Sequence, residues 1–118
     1  MKESIILEKS MEFAVRIVNL YKYLNTKKSE KVMSLQLLRS GTSIGANVRE
    51  ALQGQSKADF TAKMSISLKE AVETEYWLEL LYRTKFIDEN EYESIRQDSG
   101  EISKILTMIV KTSRNKSE

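Results

Sequence analysis

Residues Arg39 to Glu50 read R-S-G-T-S-I-G-A-N-V-R-E. The stretch sits inside a helical pattern, yet Gly41 and Gly45 fall four residues apart on one face. Each glycine costs a helix interior roughly 1 kcal/mol relative to alanine, so the pair needs a physical reason. Both fall in the stripe of Leu38, Val48 and Leu52, and Ser40, Ser43 and Ala46 beside them are small. A helix stripped of bulk over two turns lets another helix approach its backbone closely. Close packing, within a bundle or across a subunit boundary, is therefore the expected role of Gly41 and Gly45. A phosphate loop does not fit, because it needs lysine directly after the last glycine and Ala46 stands there.

Working outward, the rest of the chain also reads as helix. Its 118 residues contain no proline and four glycines, whereas a sheet protein of this size recruits both at its turns. Four amphipathic segments are expected, at about 4–24, 29–53, 57–86 and 89–115. In the first, Ile6, Phe13, Ile17, Leu20 and Leu24 form one stripe, and Leu7, Met11, Ala14, Val18 and Tyr21 form a second beside it. So wide an apolar face suits a helix buried on two sides, the second being a subunit interface. Asn25 is expected as a left-handed cap, with Lys27 and Lys28 in the loop. In the second, Val32, Leu35, Leu38, Val48 and Leu52 supply apolar bulk, and Gly54 is placed to end the helix.

The third segment opens on Ser56-Lys57-Ala58-Asp59, which resembles a capping box, and carries Phe60, Met64, Leu68, Ala71, Leu78, Leu81 and Tyr82. The fourth opens on the similar Asp88-Glu89-Asn90-Glu91 and carries Tyr92, Ile95, Ser99, Ile102, Leu106 and Ile109, running on through Gly100. Three short connections between such helices predict one domain, an all-α, up-down-up-down antiparallel four-helix bundle.

Composition removes several chemistries. Cysteine and histidine are absent, which excludes disulfides, zinc fingers, thiolate nucleophiles and a Ser-His-Asp triad. No run approaches the roughly 20 apolar residues of a membrane span, and the start of the chain carries no signal-peptide pattern, so the cytoplasm is the expected location. Net charge is +2, too balanced to predict a nucleic-acid partner by itself.

Two blocks carry a family resemblance. Gln36 through Val48 with Glu50-Ala51, and Asp59-Phe60, Lys63, Ile66 through Ala71, Glu73-Thr74, Tyr76-Trp77-Leu78 and Leu80-Leu81, resemble the signature of the four-helix bundle proteins encoded in intervening sequences of bacterial 23S rRNA genes. The resemblance extends over nearly the whole chain. It implies a left-handed bundle assembled as a ring-like homopentamer. It also implies kinship in fold with the accessory variability determinant protein of diversity-generating retroelements, thought to bind nucleic acid and a reverse transcriptase. No catalytic residue and no cofactor come with it.

Three groups of residues are candidate sites. Asn47, in the small-residue stretch, is expected to fix helix register and oligomer state, as a polar group in a bundle seam does. Glu70, Glu73, Glu75 and Glu79 form an acidic run that a magnesium-dependent nucleotide pyrophosphohydrolase would use, but Lys69 and Arg83 lie at pairing distance along the helix, and an ion-paired face is the expected reading. In an up-down-up-down bundle Lys2, Lys9, Arg49, Lys57, Lys111, Arg114 and Lys116 share one end. Acids at that end reduce its excess to +2. Only repetition around a ring makes it a strong phosphate binder. The expectation is a homo-oligomeric, non-enzymatic RNA- or DNA-binding accessory protein. The alternative is a structural or protein-interaction module with a partner such as a reverse transcriptase, and no membrane role.

Overall fold

The structure is a computed structural model that describes the backbone of residues 2–116 and the side chains of residues 3–115. Four helices follow one another: α1 (Lys2–Lys27), α2 (Val32–Leu52), α3 (Lys57–Arg83) and α4 (Glu89–Lys116). They form a rod of 48 × 21 × 20 Å. The pairings set the directions. Ile17 meets Gly41 while Ser10 meets Gly45, Ser67 meets Ile44 while Thr74 meets Ser40, and Tyr82 stacks on Tyr92 while Glu75 takes Ser99 and Ser103. In every pair one number rises as the other falls, so neighbours are antiparallel. The α1 and α4 helices meet least, and close the bundle through Lys9 to Glu101 (2.9 Å) and Arg16 to Asp98 (2.7 Å).

The core is one apolar cluster. Ile6, Phe13, Ile17 and Leu24 from α1 meet Leu37, Ile44, Val48 and Ala51 from α2; α3 adds Met64, Ala71, Leu78 and Leu81, and α4 adds Ile95, Ile102, Leu106, Ile109 and Val110. Small hydroxyl residues fill the tight seams between helices. Ser67 donates to the Ile44 carbonyl at 2.8 Å, and Thr74 pairs with Ser40 at 3.0 Å, all four residues being fully buried. Each hydroxyl is thereby satisfied where no water reaches it, which removes the penalty of burying it.

Several sequence expectations need correction. Val32 and Leu35 do not fill the core: they are 77% and 51% exposed, and the inward face of α2 runs through Ser34, Leu37, Ser40, Gly41 and Ile44 instead. The periodicity allows either face, and packing against α1 and α3 chooses between them. Asn25 is no left-handed cap. It lies within α1, and its amide donates to Tyr21 O (2.9 Å) and Ser34 Oγ (3.0 Å), while Ser29 takes the left-handed turn at φ 55°. Gly54 has no positive φ, and α2 closes one residue earlier, with Gln53 as its cap.

The third helix stops at Arg83 rather than near Phe86. A Schellman motif ends it: Phe86 N–H donates to Leu81 O, Lys85 N–H to Tyr82 O, and Lys85 stands at φ 70°. The turn tucks Ile87 into the core. Of the two predicted capping boxes, the one at Asp88–Glu91 forms fully, and at Ser56–Asp59 only the serine half forms. Ser56 Oγ accepts from Asp59 N–H, and Asp88 and Glu91 exchange side-chain-to-backbone bonds at 2.8 Å each. A further cap is not among the sequence expectations. Glu30 is buried before α2, and its carboxylate accepts from the N–H groups of Val32, Met33 and Ser34 at 3.1, 3.0 and 2.7 Å. A carboxylate there also meets the positive end of the helix dipole.

Candidate nucleic-acid interface

Charge is unevenly spread along the α3/α4 hairpin. Residues 57–69 and 102–115, which share one end of the rod, carry six basic residues and a single acid, Asp59. Residues 70–101, the other half of the hairpin, carry ten acids and three basic residues. Antiparallel packing converts this sequence pattern into an axial charge separation. The Thr61–Ser113 hydrogen bond and the Arg114 to Ser65 bond (3.4 Å) hold the start of α3 against the end of α4.

At the basic end, Lys57, Lys69, Lys104 and Lys111 are exposed, and no carboxylate lies within ion-pairing distance of them among the described residues. Arg114 is exposed too, and among the described residues it meets only the neutral Ser65 hydroxyl. Unneutralised ammonium and guanidinium groups on one face are what a phosphate backbone displaces counterions to reach.

The basic residues singled out in the sequence divide on this frame. Lys57, Lys111 and Arg114 fall on the basic α3/α4 end. Lys9 does not join them: it reaches across the α1–α4 seam to Glu101, whose hydrogen bond and charge hold the Lys9 ammonium above its ordinary value. Arg49 lines a separate groove between α1 and α2. The side chains of Lys2 and Lys116 lie outside the described residues. Lys69 and Lys104 join the basic end without having been expected there. The signal that could have found them is the absence of any acid from Ile102 through Lys116, opposite a stretch of α3 with one.

The glycines sit where α1 and α2 approach. A Cβ at Gly41 would come 2.9 Å from two carbons of Ile17, and one at Gly45 would come 3.3 Å from the Ser10 carbonyl. Beside Gly45, Leu7, Met11, Ala14 and Ala46 line a shallow, mainly apolar groove of about 390 Å³. Leu7, Met11 and Ala14 of the second α1 stripe thus border this groove on the α2 side. Asn47 is half-buried on α2, and its amide donates to the Ser43 carbonyl of its own helix at 2.8 Å.

The acidic run on α3 does not converge. Glu70 and Glu73 turn toward α2, where Arg39 bridges them (3.5 Å to Glu70, with a direct hydrogen bond to Glu73). Trp77 Nε1 also donates to Glu73 at 3.0 Å, and this bond, followed by the Arg39 bond, holds the Glu73 carboxyl below its ordinary value. Glu75 turns toward α4 and accepts from Ser99 and Ser103, while Glu79 pairs with Arg83. No group of three or more acidic side chains placed to hold a metal ion occurs among the described residues, and no described helix is long and apolar enough to cross a membrane.

Comparison with known proteins shows a family match and a close structural likeness. Residues 2–108 match the family described as 23S rRNA-intervening sequence protein. A crystal structure from Bacteroides thetaiotaomicron VPI-5482, described as a protein with unknown function from the S23 ribosomal protein family, is 63% identical. It superposes with a TM-score of 0.93 over 94% of this chain and 99% of its own. No curated protein matches the chain significantly.

Proposed function

Because the chain belongs to the 23S rRNA-intervening sequence protein family, we propose that it is a non-enzymatic, homo-oligomeric accessory protein of the cytoplasm that binds the phosphate backbone of RNA or DNA. The observation that supports this reading is the basic α3/α4 end, with four exposed lysines and Arg114 uncompensated by carboxylates among the described residues. Recognition there is electrostatic. Lysines spread over two antiparallel helices offer no recognition helix and no aromatic stacking platform, so sequence preference is weak.

Oligomerisation multiplies the patch. A closed ring of more than two copies needs two different faces per subunit. Two such apolar faces are available: the outer side of α1 beside the α1/α2 groove, with Met11 and Val15, and the outer side of α3 and α4 with Ile66 and Met108. The family resemblance makes five the expected copy number.

Light scattering on the chromatographed protein tests assembly, and a monomer at micromolar concentration would remove the ring. Anisotropy titration of a structured RNA and a DNA duplex across a salt series tests binding. In the variant Lys104→Ala/Lys111→Ala the salt slope falls by about 2 per site engaged, one for each phosphate left unneutralised. No binding even at low salt, or an unchanged slope, would refute the basic end as the interface and leave a protein-interaction module as the reading.

A further inference from the structure

The acidic half of the hairpin contains a groove of about 640 Å³ between α3 and α4. Its walls combine three features. Tyr82 and Tyr92 stack face to face, with centroids 4.5 Å apart and planes within 4°. Tyr76 stands on the α3 wall, 58% exposed. Glu75 presents a half-buried carboxylate whose Oε2 is held by the Ser99 and Ser103 hydroxyls at 3.2 and 3.3 Å, and no cation pairs with it among the described residues. Hydroxyl donors fix such a carboxylate without neutralising it.

At the rim, Arg83 pairs with Glu79 (2.8 Å) and Arg96 with Glu93 (3.6 Å) along their own helices, so these cations offset rim acids and leave Glu75 uncompensated. The groove's charged lining, three acids against two arginines, leaves one net negative charge. Burial, and then the Glu79 carboxylate, push the Tyr92 phenol above its ordinary value.

We propose that this groove binds a basic segment of a partner polypeptide, taking an arginine or lysine side chain against Tyr76 and onto the Glu75 carboxylate. Charge complementarity selects the partner. The surrounding half-hairpin, with ten acids and three basic residues, attracts a cationic chain and repels a phosphate backbone. The tyrosine faces attract a guanidinium or ammonium group through their ring quadrupoles, and an arginine can both stack on a ring and fork onto a carboxylate. Nucleic acid at the basic end and a basic polypeptide on the acidic half of α3/α4 would then lie at opposite ends of the hairpin. This site stands apart from the nucleic-acid reading and is tested apart from it.

The test is anisotropy titration of the full chain with a fluorescein-labelled oligo-arginine peptide, with an oligo-glutamate peptide as control. Glu75→Gln keeps an acceptor for Ser99 and Ser103 while removing the charge, and Tyr76→Ala removes an exposed ring. Each is expected to weaken peptide binding at least about fivefold, whereas Glu89→Gln, an exposed acid outside the groove, changes it less than about twofold. Equal losses in all three variants would mean diffuse attraction to the acidic half and overturn the proposal, as would absence of peptide binding at low salt. An RNA hairpin that loses affinity with Tyr76→Ala as the peptide does would assign the groove to nucleic acid and overturn it too. Should Glu75→Gln fail to melt like the wild type, the Tyr76→Ala and Glu89→Gln pair decides alone.

Discussion

Replacing Gly41 by alanine tests whether the glycines are a packing surface. The added methyl would lie 2.9 Å from both Cγ1 and Cγ2 of Ile17 and 3.2 Å from its Cδ1. Ile17 is fully buried, and a β-branched side chain in a helix has one dominant χ1 rotamer, so it has nowhere to swing. Overpacking of this kind costs about 1–3 kcal/mol, and exchanging glycine for alanine in a helix returns about 1 kcal/mol. The two terms net to a loss of up to about 2 kcal/mol, and two contacts under 3.0 Å on a fully buried side chain place this site at the upper end. Gly100 is the control: nothing lies within 4 Å of a Cβ there, so Gly100→Ala keeps only the gain of up to about 1 kcal/mol. Gly45→Ala falls between them, because the Ser10 carbonyl at 3.3 Å must give slightly. Urea denaturation followed by far-ultraviolet circular dichroism, at one protein concentration so that association does not shift the comparison, reads all three. In the variant Ile17→Ala/Gly41→Ala the methyl enters vacated space, and the loss is smaller than the sum of the single losses. A Gly41→Ala protein as stable as wild type, or singles that add without coupling, would refute the close α1–α2 approach.

Other perturbations follow from the same structure. Glu30→Ala strips three N–H groups of their acceptor at the start of α2 and should cost about 1–2 kcal/mol in thermal denaturation; a loss of only a few tenths would show that water replaces the cap. Lys85→Gly relieves a non-glycine residue at φ 70° and should stabilise by up to about 1 kcal/mol in the same assay; a destabilised variant would show that the Lys85 side chain makes a compensating interaction. Glu73 has a depressed folded-state value, so its contribution to stability is present above its unfolded value and is lost as pH falls through the folded one. With its side chain 38% exposed the stability effect is small, but Trp77, the only tryptophan, should report the protonation as an acid-range change in fluorescence that Glu73→Gln abolishes. Persistence of that titration in the variant would assign it to another carboxylate.

Much of this molecule is legible along the chain because the signals involved are local. Helix periodicity, capping boxes and the scarcity of turn residues depend on neighbours a few positions apart, and they place four helices whose starts at Lys57 and Glu89 stand as expected. The glycine stretch also points to close packing without coordinates, because a glycine pair inside a helix is costly unless something approaches it. Tertiary structure decided what depends on distant residues. Val32 and Leu35 are apolar at helical spacing, yet only the docking of α1 and α3 determines that they face outward.

Lys9 looks like one more lysine at the basic end until α4 places Glu101 beside it. Glu70, Glu73, Glu75 and Glu79 read as one acidic run, but α3 packs between two partners that divide it: Arg39 draws Glu70 and Glu73 to the α2 side, and Ser99 and Ser103 hold Glu75 on the α4 side. The sequence by itself therefore determined the helices and, at Gly41 and Gly45, where one of them must be approached closely, since both are set by short-range sterics. Which charges stay uncompensated was decided by the tertiary structure alone, because a charge is neutralised by whatever the fold brings within a few ångströms of it.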